Sequence, residues 1–244
     1  MKLRHRLRIR LGAIRQRTIP GLTAFVLTGG KVAGGPFAGM RYILTSIGSA
    51  LAPKLLGSYE AELHDVIEQL FSRRFTLIVD VGAAEGYYAV GFARRFDTVP
   101  VIAFEQEATG RRLLARLATA NNVRDMIDIR ARCEPRDLQS VLKPGALLIT
   151  DVEGYERVLI DHEAVPALRR ATILTEVHEA GNELGDQLCA RLASTHVASR
   201  IQPLARPLLH WEQKIAPTWL ARYLQWEHRP SSFYWIFFEP IVSQ

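Results

Sequence analysis

The sequence predicts an α/β fold: a mostly parallel sheet with helices on both faces. From Phe75 onward, short apolar runs at 75–81, 100–104, 127–131, 146–150 and 172–177 alternate with helical patterns near 86–96, 109–121, 134–142, 155–161 and 183–194. That alternation is the signature of successive β-α-β units. Two further strand candidates, 197–201 and 233–238, bring the expected sheet to seven strands. Ligands of such sheets sit beyond the carboxyl ends of the strands, so the residues that follow each run are the ones to inspect for chemistry.

Composition is that of a globular chain: 244 residues, 48% hydrophobic and 23% charged, which excludes collagen-like, low-complexity and mostly disordered proteins. No apolar run approaches the roughly 18 to 20 residues that span a bilayer. Two cysteines, Cys133 and Cys189, make neither a disulfide framework nor a Cys-x-x-Cys zinc pair, and fit a reducing cytoplasm.

The net charge of +6 is concentrated at one end. Residues 1–20 hold seven basic side chains (Lys2, Arg4, Arg6, Arg8, Arg10, Arg15, Arg17) and no acid, leaving 24 basic against 25 acidic residues elsewhere. A broad nucleic-acid footprint is therefore not expected. In the arm, Leu3, Leu7, Leu11 and Ile14 would form one apolar stripe of a helix flanked by arginines. Such a helix could lie peripherally on an anionic membrane, while a solvated tail or a helix packed on its own domain is the plainer alternative. An export signal is not expected, because the apolar h-region is missing.

Residues 21–57 contain eight of the 17 glycines and predict turns and short strands, a cap or prelude to the main domain. Ser58 then precedes a helical pattern with Tyr59, Leu63, Val66, Ile67, Leu70 and Phe71 on one face. Glu60 and Glu62 fall in its first turn and Arg73 and Arg74 at its end, as the helix dipole favours. The expected main domain is 58–244. Its segment 203–232 carries four of the 12 prolines and three of the four tryptophans, Trp211, Trp219 and Trp226, and predicts a functional flap or an extra helical element. The tryptophans suit stacking on an acceptor, a satellite core or a dimer surface.

The most informative stretch is Val79-Asp80-Val81-Gly82-Ala83-Ala84-Glu85-Gly86-Tyr87-Tyr88, a buried strand entering a glycine-containing turn and a helix. A dinucleotide fingerprint needs glycines at relative positions 0, 2 and 5, but Ala84 and Tyr87 occupy the second and third of these. Asp80 and Glu85 also oppose bound phosphates. A cationic ligand without phosphate suits the loop better, and S-adenosylmethionine, with its sulfonium and α-ammonium groups, is one. Glu105, 23 residues after Gly82 at the end of the next run, is suitably spaced to accept both ribose hydroxyls. A tight turn with a solvated surface glutamate is the bland alternative.

The form Asp-x-Gly-x-Ala-x-Gly resembles the first motif of Rossmann-like methyltransferases. The segment Ile149-Thr150-Asp151-Val152-Glu153-Gly154-Tyr155-Glu156 resembles the Asp-Val-Glu-Gly-x-Glu signature of FkbM-type S-adenosylmethionine-dependent methyltransferases, and Leu174-Thr175-Glu176-Val177-His178-Glu179 resembles the Glu-x-His strand that follows it. The similarity covers about residues 55–202. It implies a Rossmann-like class I methyltransferase fold and methyl transfer, usually to an oxygen of a small molecule or sugar.

Methyl transfer to a hydroxyl needs an in-line acceptor and a group that removes its proton. Asp151 and Glu153 share one side of a strand end, as do Glu176 and His178, so the four converge on one crevice. Asp151 is expected near the sulfonium or the acceptor hydroxyl, and His178 as general base or as the orienter of one. Glu153 and Glu176 are expected as partners. Such a set could instead hold Mg2+, as in some other O-methyltransferases, or Asp151 and Glu153 could merely cap the next helix. The expected cofactor contacts are Asp80, Gly82, Ala83, Ala84, Glu85, Gly86, Tyr87, Glu105, Gln106 and Asp151. Cys133 and Glu134 follow the third strand, where the adenine edge usually lies in this fold. Glu60 could reach the methionine end. Rival readings are a protein that binds S-adenosylmethionine without catalysis, a nicotinamide-dependent oxidoreductase and a nucleic-acid methyltransferase.

Overall fold

The structure is a computed structural model that describes residues 18–179, 181–204, 208–227 and 232–241. The chain divides into two compact units, Met1–Ala61 with Ala205–His228, and Glu62–Leu204 with Arg229–Gln244. Most of the predicted basic arm, residues 1–17, lies outside the described residues.

In chain order the elements are helix α1 over 18–28, α2 (Leu51–Leu56), α3 (His64–Phe71), strand β1 (Leu77–Val81), α4 (Tyr87–Arg95), β2 (Val101–Phe104) and α5 (Ala108–Ala120). There follow β3 (Ile127–Arg130), α6 (Pro135–Val141), β4 (Ala146–Thr150), α7 (Glu156–Leu159), β5 (Thr172–Val177) and α8 (Glu183–Leu192). The last are β6 (His196–Ile201), α9 (His210–Ile215), α10 (Thr218–Leu224) and β7 (Tyr234–Pro240). No described helix is long and apolar enough to cross a membrane.

The larger unit is a seven-stranded sheet in the order β3-β2-β1-β4-β5-β7-β6. Strands β1 to β5 pair in parallel, and β7 runs antiparallel to both β5 and β6. The sheet interior is dictated by side-chain alternation: Leu77, Val79 and Val81 of β1 join Leu148, Ile173 and Phe238 in one buried cluster, completed by Leu138 and Val141 of α6 and Leu184, Leu188 and Leu192 of α8. Asp80, between Val79 and Val81, faces the other way. Strand order reverses between β1 and β4, which opens a crevice at their carboxyl ends. Register keeps those ends level, with Val81 opposite both Phe104 and Thr150, and Thr150 opposite Thr175.

The smaller unit corrects two expectations. Residues 21–57 were expected as turns and short strands, yet α1 and α2 are helical and the extended pairing is the isolated bridge Lys31–Arg41. The glycines explain it: they crowd into 29–39, leaving 22–28 free of them and competent for helix. The helix expected after Ser58 starts only at His64, behind a single 3-10 turn, so Glu60 is not in a helical first turn. Gly57 ends α2 at φ 79, where a Cβ would lie 2.1 Å from the Gly34 carbonyl oxygen. Glu60 then turns the chain at φ 48, with its amide donating to Glu227 Oε1 at 3.0 Å. Segment 203–232 supplies α9 and α10, and the indole of Trp211 donates to the Leu56 carbonyl at 2.9 Å. Trp211 is therefore a structural tie within this unit, while Trp219 and Trp226 are exposed.

Candidate active site

The crevice is built by loops that touch. The Asp151 amide donates to the Val81 carbonyl at 3.0 Å, and the amides of Gly82 and Ala83 both donate to the Phe104 carbonyl. Gly82, at φ 86, has Asp151 so close that a Cβ would meet its carbonyl oxygen at 1.8 Å. Glycine here is a packing requirement between the loops after β1 and β4. Asp80 and Glu85 are buried at this turn, and Gly86 and Tyr87 carry it into α4, where Tyr87 is buried against Tyr88.

Glu105 is held rather than solvated. Its two carboxylate oxygens accept from the amides of Ala84 at 2.8 Å and Glu107 at 2.7 Å. Each oxygen keeps a further lone pair for a ligand hydroxyl. Arg111 fixes the same corner by donating to the carbonyls of Glu105 and Gln106. Sequence reasoning missed Arg111, whose only signal was its place one turn into α5.

The strand ends of β4 and β5 bring Asp151, Glu153, Glu176 and His178 together. His178 Nε2 lies 3.3 Å from Asp151 Oδ1, 3.3 Å from Glu176 Oε2 and 3.9 Å from Glu153 Oε2. On the other side of the ring, Nδ1 lies 2.6 Å from Oε1 of Glu156, a fully buried carboxylate. Phe233, delivered by the antiparallel β7, packs edge-on against the imidazole with ring centroids 4.6 Å apart. Burial alone would depress the His178 imidazole, but the Asp151, Glu156 and Glu176 carboxylates outweigh it and push the pKa up to about 12. Asp151 is part-exposed and Glu153 almost wholly so, at 83% of its side chain. Glu153 occupies a left-handed turn at φ 52 followed by Gly154, which accounts for its outward position. Neither acid caps α7, whose N-cap is Tyr155 without a side-chain bond.

Glu156 is the site residue to which sequence reasoning gave no role of its own. Next to His178, Glu179 holds the start of α8: its carboxylate accepts from the amides of Leu184 and Gly185 and from the Tyr234 hydroxyl. Burial works against the charge, yet those three donors keep the Glu179 carboxyl below its usual range.

At the third strand, Cys133 is buried in the main core cluster beside Leu138, and burial pushes its thiol up to about 12. Glu134 closes a capping box with Asp137 on α6, accepts from the Tyr155 hydroxyl at 2.5 Å and pairs with Arg132 at 2.6 Å. Glu60 belongs to the smaller unit.

No family model matches the chain, and no curated protein matches it significantly. Solved structures do. A Clostridium thermocellum protein assigned as an rRNA methylase superposes with TM-score 0.50 at 10% identity, over 75% of this chain and 97% of its own. The fold is that of class I methyltransferases. An O-methyltransferase of Bacillus cereus in complex with S-adenosylhomocysteine has TM-score 0.48 at 13% identity, over 75% of this chain and 82% of its own. The O-methyltransferase TomG of Streptomyces achromogenes, in complex with S-adenosylmethionine, has TM-score 0.47 at 13% identity, over 75% and 80%. At these identities the likeness is one of fold.

The residues present suit S-adenosylmethionine. The buried acids Asp80 and Glu85 complement a sulfonium and an ammonium, and Glu105 offers lone pairs to a ribose. They also suit a divalent ion: one ligand atom each of Asp151, Glu153 and His178 lies within 4.8 Å of the others. Glu156 on Nδ1 is the outer-shell carboxylate that commonly orients a metal-bound imidazole.

Proposed function

We propose that the protein is an S-adenosylmethionine-dependent O-methyltransferase of FkbM type, acting on a hydroxyl of a small molecule or sugar. The observation that carries this reading is the corner formed by Gly82, Ala84 and Glu105, in which the β1 loop is hydrogen-bonded to the acid that follows β2. Buried acids stand where a dinucleotide would need its phosphates, which disfavours a nicotinamide cofactor.

When bound, S-adenosylmethionine supplies an electrophilic methyl group. Asp80 and Glu85 favour its cationic end, Glu105 accepts from its ribose, and Ala83, Gly86, Tyr87 and Gln106 line the path between. Cys133 and Glu134 border the adenine side. Asp151 is the part-exposed carboxylate at the β4 end, and it takes the acceptor hydroxyl's proton. His178 is its positioning residue: with both ring nitrogens facing carboxylates it is held as an imidazolium, so it orients Asp151 rather than removing a proton itself. Glu176 and Glu156 keep the imidazole in place.

A second reading is favoured by the convergence of Asp151, Glu153 and His178. A divalent ion held there would replace the His178 proton and acidify the acceptor hydroxyl. One nitrogen and two carboxylates suit Mn2+, Fe2+, Co2+ or Zn2+ better than Mg2+, which prefers all-oxygen sets.

The test is transfer of isotope-labelled methyl from S-adenosylmethionine into a fractionated metabolite and glycan pool, with and without chelator. Label in a base-stable product, lost in Asp151→Asn, supports the reading. Cofactor binding without label in any fraction would leave a binding protein and overturn the enzymatic claim.

A further inference from the structure

The smaller unit carries a charge pattern that methyl transfer does not use. The chain's first acid is Glu60, preceded by ten Lys or Arg. Across the unit's two segments the acids are Glu60, Glu212 and Glu227, and all three are buried, at 1%, 0% and 3% exposure. Its exposed charges are thus all positive, among them Lys31, Arg41, Lys214 and Arg222.

The same unit exposes apolar side chains in ordered helices. Ile19, Leu22 and Val26 are spaced i, i+3 and i+7 on α1 and fall on one face, with Val26 72% exposed. On α10, Trp219 and Tyr223 share a face, and Trp226 follows one turn on; the two tryptophans are 71% and 63% exposed. Both helices pack on α2: Gly21 of α1 faces the Leu51 side chain, and α10 lies beside the same helix. Seven of the ten cations precede α1 directly.

We propose that this unit is a docking surface for anionic membrane lipid, with α1 lying in the headgroup layer and the α10 aromatics beside it. Lys and Arg near an anionic bilayer are each drawn to its surface, and Trp and Tyr favour the membrane–water boundary. A face with no exposed carboxylate removes the repulsion that would oppose approach. The aliphatic stripe decides between lipid and nucleic acid, because Ile19, Leu22 and Val26 gain from acyl chains and gain nothing from a phosphodiester backbone. The inference does not depend on the methyltransferase reading, since its residues lie outside the larger unit.

The test is co-sedimentation of the full chain with vesicles of phosphatidylcholine alone and of equal parts phosphatidylcholine and phosphatidylglycerol, alongside titration with a single-stranded RNA oligomer. The anionic vesicles should bind at least about tenfold more tightly than the neutral ones, and salt should weaken that binding. The pair Leu22→Asp/Val26→Asp should lose about tenfold or more in affinity with the circular dichroism spectrum unchanged. Trp219→Ala/Trp226→Ala, which places no charge on α1, should weaken binding as well. Equal partition to both vesicle types, variants that bind like the parent, or RNA bound more tightly than vesicles would each overturn the proposal.

Discussion

His178 Nδ1 lies 2.6 Å from Oε1 of the fully buried Glu156, so the imidazole at the mouth of the crevice is anchored from behind by a carboxylate that solvent does not reach. A buried carboxylate left without its cation is costly, at about 3–5 kcal/mol. His178→Ala is therefore expected to lose both stability and activity, whereas Glu156→Gln keeps a hydrogen-bond acceptor and frees the ring. If His178 acts by positioning Asp151, Glu156→Gln should lower kcat about tenfold or more with little change in the KM for S-adenosylmethionine. A change confined to KM would point to cofactor contact instead.

Gly82 permits the contact between the loops after β1 and β4. Gly82→Ala must move the Asp151 carbonyl and hold alanine at φ 86, and should cost about 2–4 kcal/mol in urea unfolding. Loss of cofactor binding should accompany it. A variant as stable as the parent would mean that the two loops are not locked together.

Glu105 has a structural and a ligand role that different substitutions separate. Glu105→Ala removes the acceptor for the Ala84 and Glu107 amides and should cost about 1–3 kcal/mol of stability. Glu105→Gln keeps one acceptor oxygen, so it should retain most of the stability while weakening S-adenosylmethionine about tenfold. Equal affinities in parent and Glu105→Gln would remove Glu105 from the binding site.

His196 gives the larger unit a pH dependence at its sheet edge. Burial first, then the charge of nearby His162, lowers its pKa, partly offset by its Nε2 bond to the Ala171 carbonyl at 2.9 Å. The neutral ring is the folded form. Its contribution to stability is complete above the unfolded value near 6.5 and declines as pH falls from there through the lowered folded pKa. Melting temperature should drop across that window, and His196→Gln should flatten the drop.

The larger unit's architecture was legible because its buried parallel strands are apolar runs and its helices keep their period. All seven strands lie within the expected runs or within a few residues of them, from Leu77–Val81 to Tyr234–Pro240. Asp151, Glu176 and His178 were also legible, since period-2 geometry at adjacent strand ends brings them to one crevice. Glu156 was not: its partner is 22 residues away, and the pair meets only through the Thr150–Thr175 register of β4 and β5. The smaller unit was harder still. Helix α1 was hidden by the glycines that follow it, Glu60 turns with a positive φ that its residue type does not announce, and the assembly of 205–228 with the first 61 residues leaves no periodic signal. The exposed face of α1 could be read only once α2 was seen to take its other side.

The central claim is that the Gly82–Glu105 corner holds a cationic nucleoside rather than a dinucleotide. Calorimetric titration with S-adenosylmethionine, with NAD in a parallel cell and Glu105→Ala as control, tests it most directly. The account predicts micromolar S-adenosylmethionine binding, about −8 kcal/mol, lost in the variant and absent with NAD. No heat with S-adenosylmethionine, or tighter binding of NAD, would contradict it.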